Sequence, residues 1–115
     1  MPSDQFVDFS NTVEAGVDKA VSLLNERKIY APIEEIRMIV PELAEQEANK
    51  ARVRADRLAH LSGAASFPSP APSAIVASSQ MVATLSAMTA VNNIANEIIA
   101  TAASLMGLYN ATAGR

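Results

Sequence analysis

The sequence contains no cysteine, no tryptophan and a single histidine, His60, among its 115 residues. Without cysteine, neither a disulfide framework nor a thiolate metal site is available. One histidine excludes a two-histidine metal centre within one chain, and no glycine-rich phosphate loop or nucleophile paired with a base is present. We therefore expect no enzymatic activity, no cofactor and no bound metal.

Charged side chains are almost absent from the second half of the chain. Between Leu61 and Gly114 the one formal charge is Glu97, whereas the first 60 residues carry 19 charges. A long uncharged segment is poorly suited to contact water on all sides, so we expect it to lie against other protein or lipid. The net charge of −3 provides no basic patch, and nucleic acid is not an expected partner.

Large aromatic side chains are also scarce, at 4% of the residues, and alanine supplies much of the apolar content. Small side chains let helices approach closely but stabilise an isolated monomer weakly. We therefore expect a homo-oligomer or polymer, with copies of the same chain or a related subunit as partners. The first residues lack the pattern of a signal peptide, so a cytoplasmic location is expected, with membrane association as an alternative.

Helical periodicity predicts an all-α protein, a helical hairpin or bundle that is elongated and oligomeric. Its first, charged segment comprises residues 1–62, with predicted helices at 11–28, 32–40 and 42–62. Asn11 and Glu14 resemble a capping box at the first of these, and Pro41 is expected to interrupt the chain between the other two. The residues predicted to face inward at 32–40 are Ile33, Ile36 and Val40.

A proline-rich linker is predicted at residues 63–73, because Gly63 is placed to end a helix and three prolines follow at every second position. Ser73 is the expected N-cap of one long, nearly uncharged helix at 74–111, within an assembly segment at 74–115. This helix is expected to fold back along the 42–62 helix or, if the linker holds the two apart, to pair with another copy.

Two sets of residues are predicted to form the assembly interface. The first is a narrow seam on the 42–62 helix, with steps of four and three residues: Ala44, Ala48, Ala51, Ala55 and Leu58, continuing to Ser62. The second is an apolar stripe on the last predicted helix: Met81, Leu85, Met88, Val91, Ile94, Ile98, Leu105 and Leu108. Glu97 is a candidate pH-sensitive residue if it is buried, and otherwise meets solvent or pairs with a cation.

The C-terminal segment also resembles a known family. The run at residues 90–93 and the run at residues 106–113 are similar to segments of the small subunits of bacterial R-bodies, also called the killing-trait family. The resemblance implies a bacterial protein that polymerises into ribbons coiled inside the cell, with extension driven by acid in some members.

Three functions from different classes follow from these patterns. The first is a structural subunit that self-assembles into a filament, ribbon or large oligomer, with coiled-coil-like helix contacts. The second is a membrane-active or membrane-anchored protein, since residues 74–96 carry no charge, although polar side chains recur at nearly every turn. The third is a small accessory chain whose C-terminal helix binds a partner.

Overall fold

The computed structural model describes residues 4–115, and the predicted all-α class is confirmed for that range. Its four helices are α1 (Gln5–Tyr30), α2 (Ile33–Ser62), α3 (Pro72–Ala87) and α4 (Ala95–Thr112). Helix α1 lies at the centre and packs against each of the other three. Together they form a globule with principal extents of 48 × 24 × 22 Å.

Helix α1 begins earlier than the predicted start at residue 11. The Asp4 side chain is the N-cap, and its Oδ1 accepts a hydrogen bond from the backbone N–H of Val7 at 3.1 Å. The added turns place Phe6 and Phe9 in the core. Burying two phenylalanine side chains stabilises a helix start at residue 5 by more than the capping box predicted at Asn11 would stabilise a start at residue 11. The helix ends before Pro32, since a residue that precedes proline avoids helical geometry.

The two helices predicted at 32–40 and 42–62 are one continuous helix, α2, with Pro41 inside it. Proline removes the N–H that would donate to the carbonyl of Arg37. Both residues lie on the exposed side of α2, where water can satisfy that carbonyl. Gly63 ends α2 as predicted, in the left-handed conformation with φ of 79°.

The connection between α2 and α3 comprises residues 63–71, two residues fewer than the linker predicted at 63–73. Helix α3 begins at Pro72 and its N-cap is Ala71, whereas Ser73 was the predicted N-cap. Phe67 of this connection stacks on Phe6 of α1, with ring centroids 4.7 Å apart. The backbone N–H of Phe67 also donates to Nδ1 of His60 at 3.1 Å. The connection is therefore packed against the helices that it joins.

The single long helix predicted at 74–111 is two helices separated by residues 88–94. Met88 is extended, with ψ of 151°, and polar side chains replace the missing helical hydrogen bonds. Oδ1 of Asn93 accepts from the N–H of Thr89 at 2.9 Å, and Oγ1 of Thr89 accepts from the N–H of Asn92 at 3.1 Å. Local side-chain bonds of this kind compete with helix formation.

The core surrounds α1, and α2 contributes Ile39 and Val53 to it. It contains the two N-terminal phenylalanines, the apolar stripe of α1 and the inner faces of the last two helices: Phe6, Phe9, Val13, Val17, Ala20, Leu24, Leu85, Ile98, Leu105 and Tyr109. The last helix was expected to pack along the alanine seam of α2. Instead α4 packs mainly on α1 and α3, and it meets α2 through polar side chains.

Two glycines on helices provide a matched test of this packing. A Cβ atom at Gly16 of α1 would collide with Cδ2 of the fully buried Leu105 and lie 3.0 Å from Cγ2 of Val82, whereas one at Gly107 of α4 would meet open space. We expect Gly16→Ala to lower the free energy of unfolding by about 1–3 kcal/mol through overpacking. Gly107→Ala should raise it by about 0.5–1 kcal/mol through helix propensity.

Chemical denaturation of the two variants and the wild type measures both changes. Equal stabilisation by the two substitutions would show that α1 and α4 do not approach each other as closely as the structure indicates.

Candidate assembly surface

The face of α2 that contacts the rest of the protein is unusually polar. Its buried residues are Ile39, Gln46, Asn49, Val53 and Asp56. Buried polar groups need partners, and these side chains have them. Nδ2 of Asn49 donates to Oε1 of Gln46 at 3.3 Å, and the Asp56 carboxylate accepts from two residues near the C-terminus.

Asp56 is the centre of the contact between α2 and the C-terminal end of α4. Its Oδ2 accepts from the Tyr109 hydroxyl at 2.6 Å, and the Arg115 guanidinium donates to both carboxylate oxygens at 2.6 and 2.7 Å. The Arg115 guanidinium outweighs burial and holds the pKa of Asp56 below its usual range. Burial and the adjacent carboxylate raise the pKa of Tyr109, so its hydroxyl remains a donor at neutral pH.

This arrangement predicts a loss of stability in acid. Because the folded pKa of Asp56 lies below its unfolded value of 3.8, its contribution is complete above that value and is lost as the pH falls through the folded pKa. We expect the free energy of unfolding to decline below about pH 4, and Asp56→Asn to make that decline shallower. Urea denaturation at a series of pH values measures this decline, with Asp8→Asn as the control, since Asp8 is exposed and forms no salt bridge within residues 4–115.

An unchanged acid profile in Asp56→Asn would contradict the assigned role of the Arg115–Asp56 pair.

Salt bridges also join α1 to the lateral edge of α2. Arg54 and Arg57 donate to the Glu14 carboxylate at 2.9 and 2.6 Å, and Nζ of Lys50 lies 2.9 Å from Oδ1 of Asp18. Burial opposes ionisation of Glu14, but the hydrogen bonds from Arg57 and Arg54 outweigh it and hold the pKa of Glu14 below its usual value. These contacts fix the rotation of α2 about its own axis.

A further ion pair holds the turn between α3 and α4. The Arg27 guanidinium donates to both carboxylate oxygens of Glu35, at 2.8 and 3.0 Å. Its Nη1 also donates to the carbonyls of Ala90 and Val91 at 3.1 and 3.2 Å, while Oε1 of Glu35 accepts from the N–H of Ala95 at 2.7 Å. Hydrogen bonds made by Arg27 and Glu35 therefore attach the interruption at residues 88–94 to the ends of α1 and α2 that are joined by their connection.

Within residues 4–115, the opposite side of α2 is exposed and packs against no other helix. We define the α2 outer face as the exposed residues Val40, Ala44, Ala48, Ala51, Ala55, Leu58 and Ser62. At about 100° per residue these positions are centred roughly opposite the buried face. None is charged, and Val40 and Leu58 are 56% and 67% exposed. Ile33 and Val40, expected to face inward, lie on this exposed side, while Ile36 is half-buried.

The α2 part of the predicted assembly interface is therefore accessible. Its residues Ala44, Ala48, Ala51, Ala55 and Leu58 are all exposed. The seam was first expected to receive the last helix of the same chain, and it does not. The rotation of α2 explains the difference, because Tyr109, Arg115, Glu14 and Asp18 hold its polar side inward.

Most of the second predicted set lies inside the monomer. Leu85, Ile98 and Leu105 are fully buried, and Met81, Met88 and Leu108 are half-buried against the core. Their apolar stripe is explained by intramolecular packing, and the three fully buried residues are not accessible to another copy. Val91 and Ile94 differ from the rest, since they are 59% and 46% exposed at the turn between α3 and α4.

Glu97 takes the simpler of the two roles considered for it, and His60 makes contacts that join α2 to its neighbours. Glu97 is exposed in the first turn of α4, and its Oε2 accepts from Nδ2 of Asn93 at 2.6 Å, so the burial that pH sensitivity required is not present. His60 lies in the last turn of α2, with Nε2 2.8 Å from Oδ2 of Asp4. Because Nδ1 of His60 accepts from Phe67, the neutral ring carries its proton on Nε2.

A groove of about 570 Å³ lies between α2 and α4. Its walls include the buried amides of Gln46 and Asn49 on one side and Ile99 and Met106 on the other. No group of three or more histidine, aspartate or glutamate side chains able to hold a metal ion occurs within residues 4–115. The groove is lined by hydrogen-bonding amides, apolar side chains and the charged residues Glu42, Glu45 and Arg52.

None of the helices in the described range is both long enough and apolar enough to cross a membrane. Comparison with protein-family models, curated proteins and solved structures finds no significant match to this chain.

Proposed function

We propose that this protein is a structural subunit that assembles with copies of itself through the α2 outer face. The role requires no reaction, cofactor or metal. The single observation that carries the proposal is the contrast between the two sides of α2. A helix rich in charged residues presents an uncharged stripe to solvent, roughly 33 Å long from Val40 to Ser62 at the standard helical rise.

Small side chains on this stripe favour a helix as the partner. Alanines at steps of four and three residues form a shallow seam into which a second helix packs at close distance. Leu58 and Val40 at the two ends add larger apolar groups that gain from being covered. The exposed Val91 and Ile94 offer a separate apolar point at the turn between α3 and α4.

The resemblance to R-body subunits agrees with a self-assembling role. Its residues fall in the turn between α3 and α4 and along the second half of α4. Tyr109, within the second of these runs, is fully buried, so that run contributes to the monomer core. Assembly through α2 therefore stands on its own observation and does not depend on the resemblance.

A charge placed at the centre of the α2 outer face tests the proposal. Ala48→Glu keeps a strong helix former and gains a favourable spacing of four residues to Arg52, so the fold should be preserved. In an assembly, however, the new carboxylate would be buried against another helix. We expect the variant to be monomeric at concentrations where the wild type is associated, with at least about a tenfold weaker association, as measured by size-exclusion chromatography with light scattering.

Ala83→Glu is the matched control, since Ala83 is an exposed alanine on α3 away from this surface. It should associate like the wild type. If Ala48→Glu still assembles, the α2 outer face is not the assembly surface. If the wild-type protein associates only with a different chain, the accessory role is correct and self-assembly is not.

A further inference from the structure

The charges of α2 are segregated along its length. The N-terminal half carries Glu34, Glu35, Glu42, Glu45 and Glu47, and the C-terminal half carries Lys50, Arg52, Arg54 and Arg57, with Arg37 and Asp56 as the two exceptions. Two such helices placed side by side in opposite directions bring acidic halves against basic halves. The same helices in a parallel arrangement bring like charges together.

The stripe on the outer face fixes where two antiparallel copies would meet. Its central residues follow steps of four and three: Ala44, Ala48, Ala51, Ala55 and Leu58. A two-fold axis midway between Ala48 and Ala51 places Ala48 of one copy opposite Ala51 of the other, and Ala44 opposite Ala55. Every central layer then consists of alanine against alanine, which permits helix axes to approach to about 8 Å.

The positions that flank the stripe are complementary in this same register. On one flank of the stripe, Glu47 faces Arg54 of the second copy. In an antiparallel helix pair, these are the position just before Ala48 and the position three residues after Ala51. On the other flank, Glu45, three residues before Ala48, faces Arg52 of the second copy, the residue just after Ala51. Two-fold symmetry repeats both pairs, so four acid–base contacts border the alanine seam.

The parallel alternative is less complementary. An in-register parallel pair brings Glu47 near Arg52 of the second copy but leaves Arg54 opposite Ala59, so it forms two acid–base contacts where the antiparallel pair forms four.

Three of the four side chains that would form these contacts are exposed, and the fourth, Arg52, is half-buried and donates through Nη2 to Oδ1 of Asn110 at 3.0 Å. The Arg54 side chain is 52% exposed and donates through Nε to Glu14, and its Nη atoms form no hydrogen bond within residues 4–115. Within residues 4–115, Glu47 forms one salt bridge, at 3.9 Å from Lys50, and Glu45 forms none. Beyond the charges, the register sets Val40 against Leu61, which are 56% and 62% exposed.

We infer that the partner of the α2 outer face is α2 of a second copy, antiparallel about a two-fold axis between Ala48 and Ala51. This rests on the proposed self-assembly and specifies its partner and geometry. The contact is isologous, so it closes after two copies, and any larger assembly needs another surface such as the exposed turn with Val91 and Ile94.

Cysteine cross-linking tests the register, because the natural chain has no cysteine to interfere. Chains carrying Ala44→Cys are mixed with chains carrying Ala55→Cys and oxidised mildly. In the inferred pair these positions face each other, whereas two copies of residue 44 are about 16 Å apart along the axis, too far for a disulfide, which requires Cα atoms within about 7 Å. We expect the mixed disulfide to exceed either symmetric one by about tenfold.

Sedimentation of the wild-type chain, which has no cysteine, is measured alongside the cross-linking. It distinguishes failure of self-assembly from failure of the antiparallel register. A wild-type monomer at all concentrations would overturn the proposed function and this inference together. A wild-type dimer whose Ala44→Cys chains cross-link to themselves, or whose mixture does not cross-link, would overturn the antiparallel register and leave self-assembly in place.

Discussion

We expect replacement of Tyr109 by alanine to lower the free energy of unfolding by about 3–5 kcal/mol. Tyr109 is fully buried, and its ring lies 6.0 Å from that of Phe9 and 6.2 Å from that of Phe6. Removing the ring leaves a cavity where α1 meets α4 and deprives Asp56 of its hydroxyl partner. Thermal or urea denaturation followed by circular dichroism measures the loss.

Tyr109→Phe separates the two contributions, since it keeps the ring and removes the hydroxyl. The cost should be only about 1–2 kcal/mol, because Arg115 still donates to both oxygens of Asp56. If the alanine and phenylalanine variants were equally stable, Tyr109 would not occupy the core as the structure describes.

A second large effect is expected at Leu105, in contrast to Leu58. Both were predicted to lie in the assembly interface, but Leu105 is fully buried in the monomer and Leu58 is 67% exposed. We expect Leu105→Ala to lower the free energy of unfolding by about 2–5 kcal/mol through the cavity that it creates. Leu58→Ala should change the stability of the monomer by less than about 0.5 kcal/mol, but weaken self-association.

Denaturation at a concentration low enough to keep the chain monomeric, together with sedimentation at a higher concentration, measures both quantities for each variant. A strongly destabilised Leu58→Ala monomer would place that face of α2 inside the protein and remove it as an assembly surface.

Local signals in the sequence were sufficient for the helical class and for several boundaries. Gly63 ends α2 and the alternating prolines form the connection to α3, because both act through the backbone of their own neighbours. Two interruptions were harder to predict. Pro41 is tolerated because it faces solvent, and Thr89 and Asn93 break the last helix through bonds that depend on the turn itself.

The orientation of α2 was the main feature that local patterns did not determine. Alanines recur on one side and polar residues such as Gln46, Asn49 and Asp56 on the other, so hydrophobicity alone favours burying the alanines. The polar side is buried instead, because Tyr109 and Arg115, more than 50 residues further along the chain, satisfy Asp56. The stripe of polar residues on this side of α2 was the one signal in the sequence that indicated its burial. The residues that pair with it are brought close only by folding.

The α2 outer face is accessible because the polar side of α2 is the side that is buried, which local patterns did not indicate. Its neighbours in the sequence are held inward by ion pairs and hydrogen bonds, and the small apolar residues remain in contact with water. An uncharged helical stripe of this length is a surface that gains from association with another helix.

Sedimentation velocity of the wild-type chain over a dilution series, from the nanomolar to the high micromolar range, tests the central claim most directly. Self-assembly predicts a weight-average mass that rises with concentration from the monomer to the dimer or beyond. A mass that stays at that of a single chain throughout, with α2 still folded by circular dichroism, would contradict it.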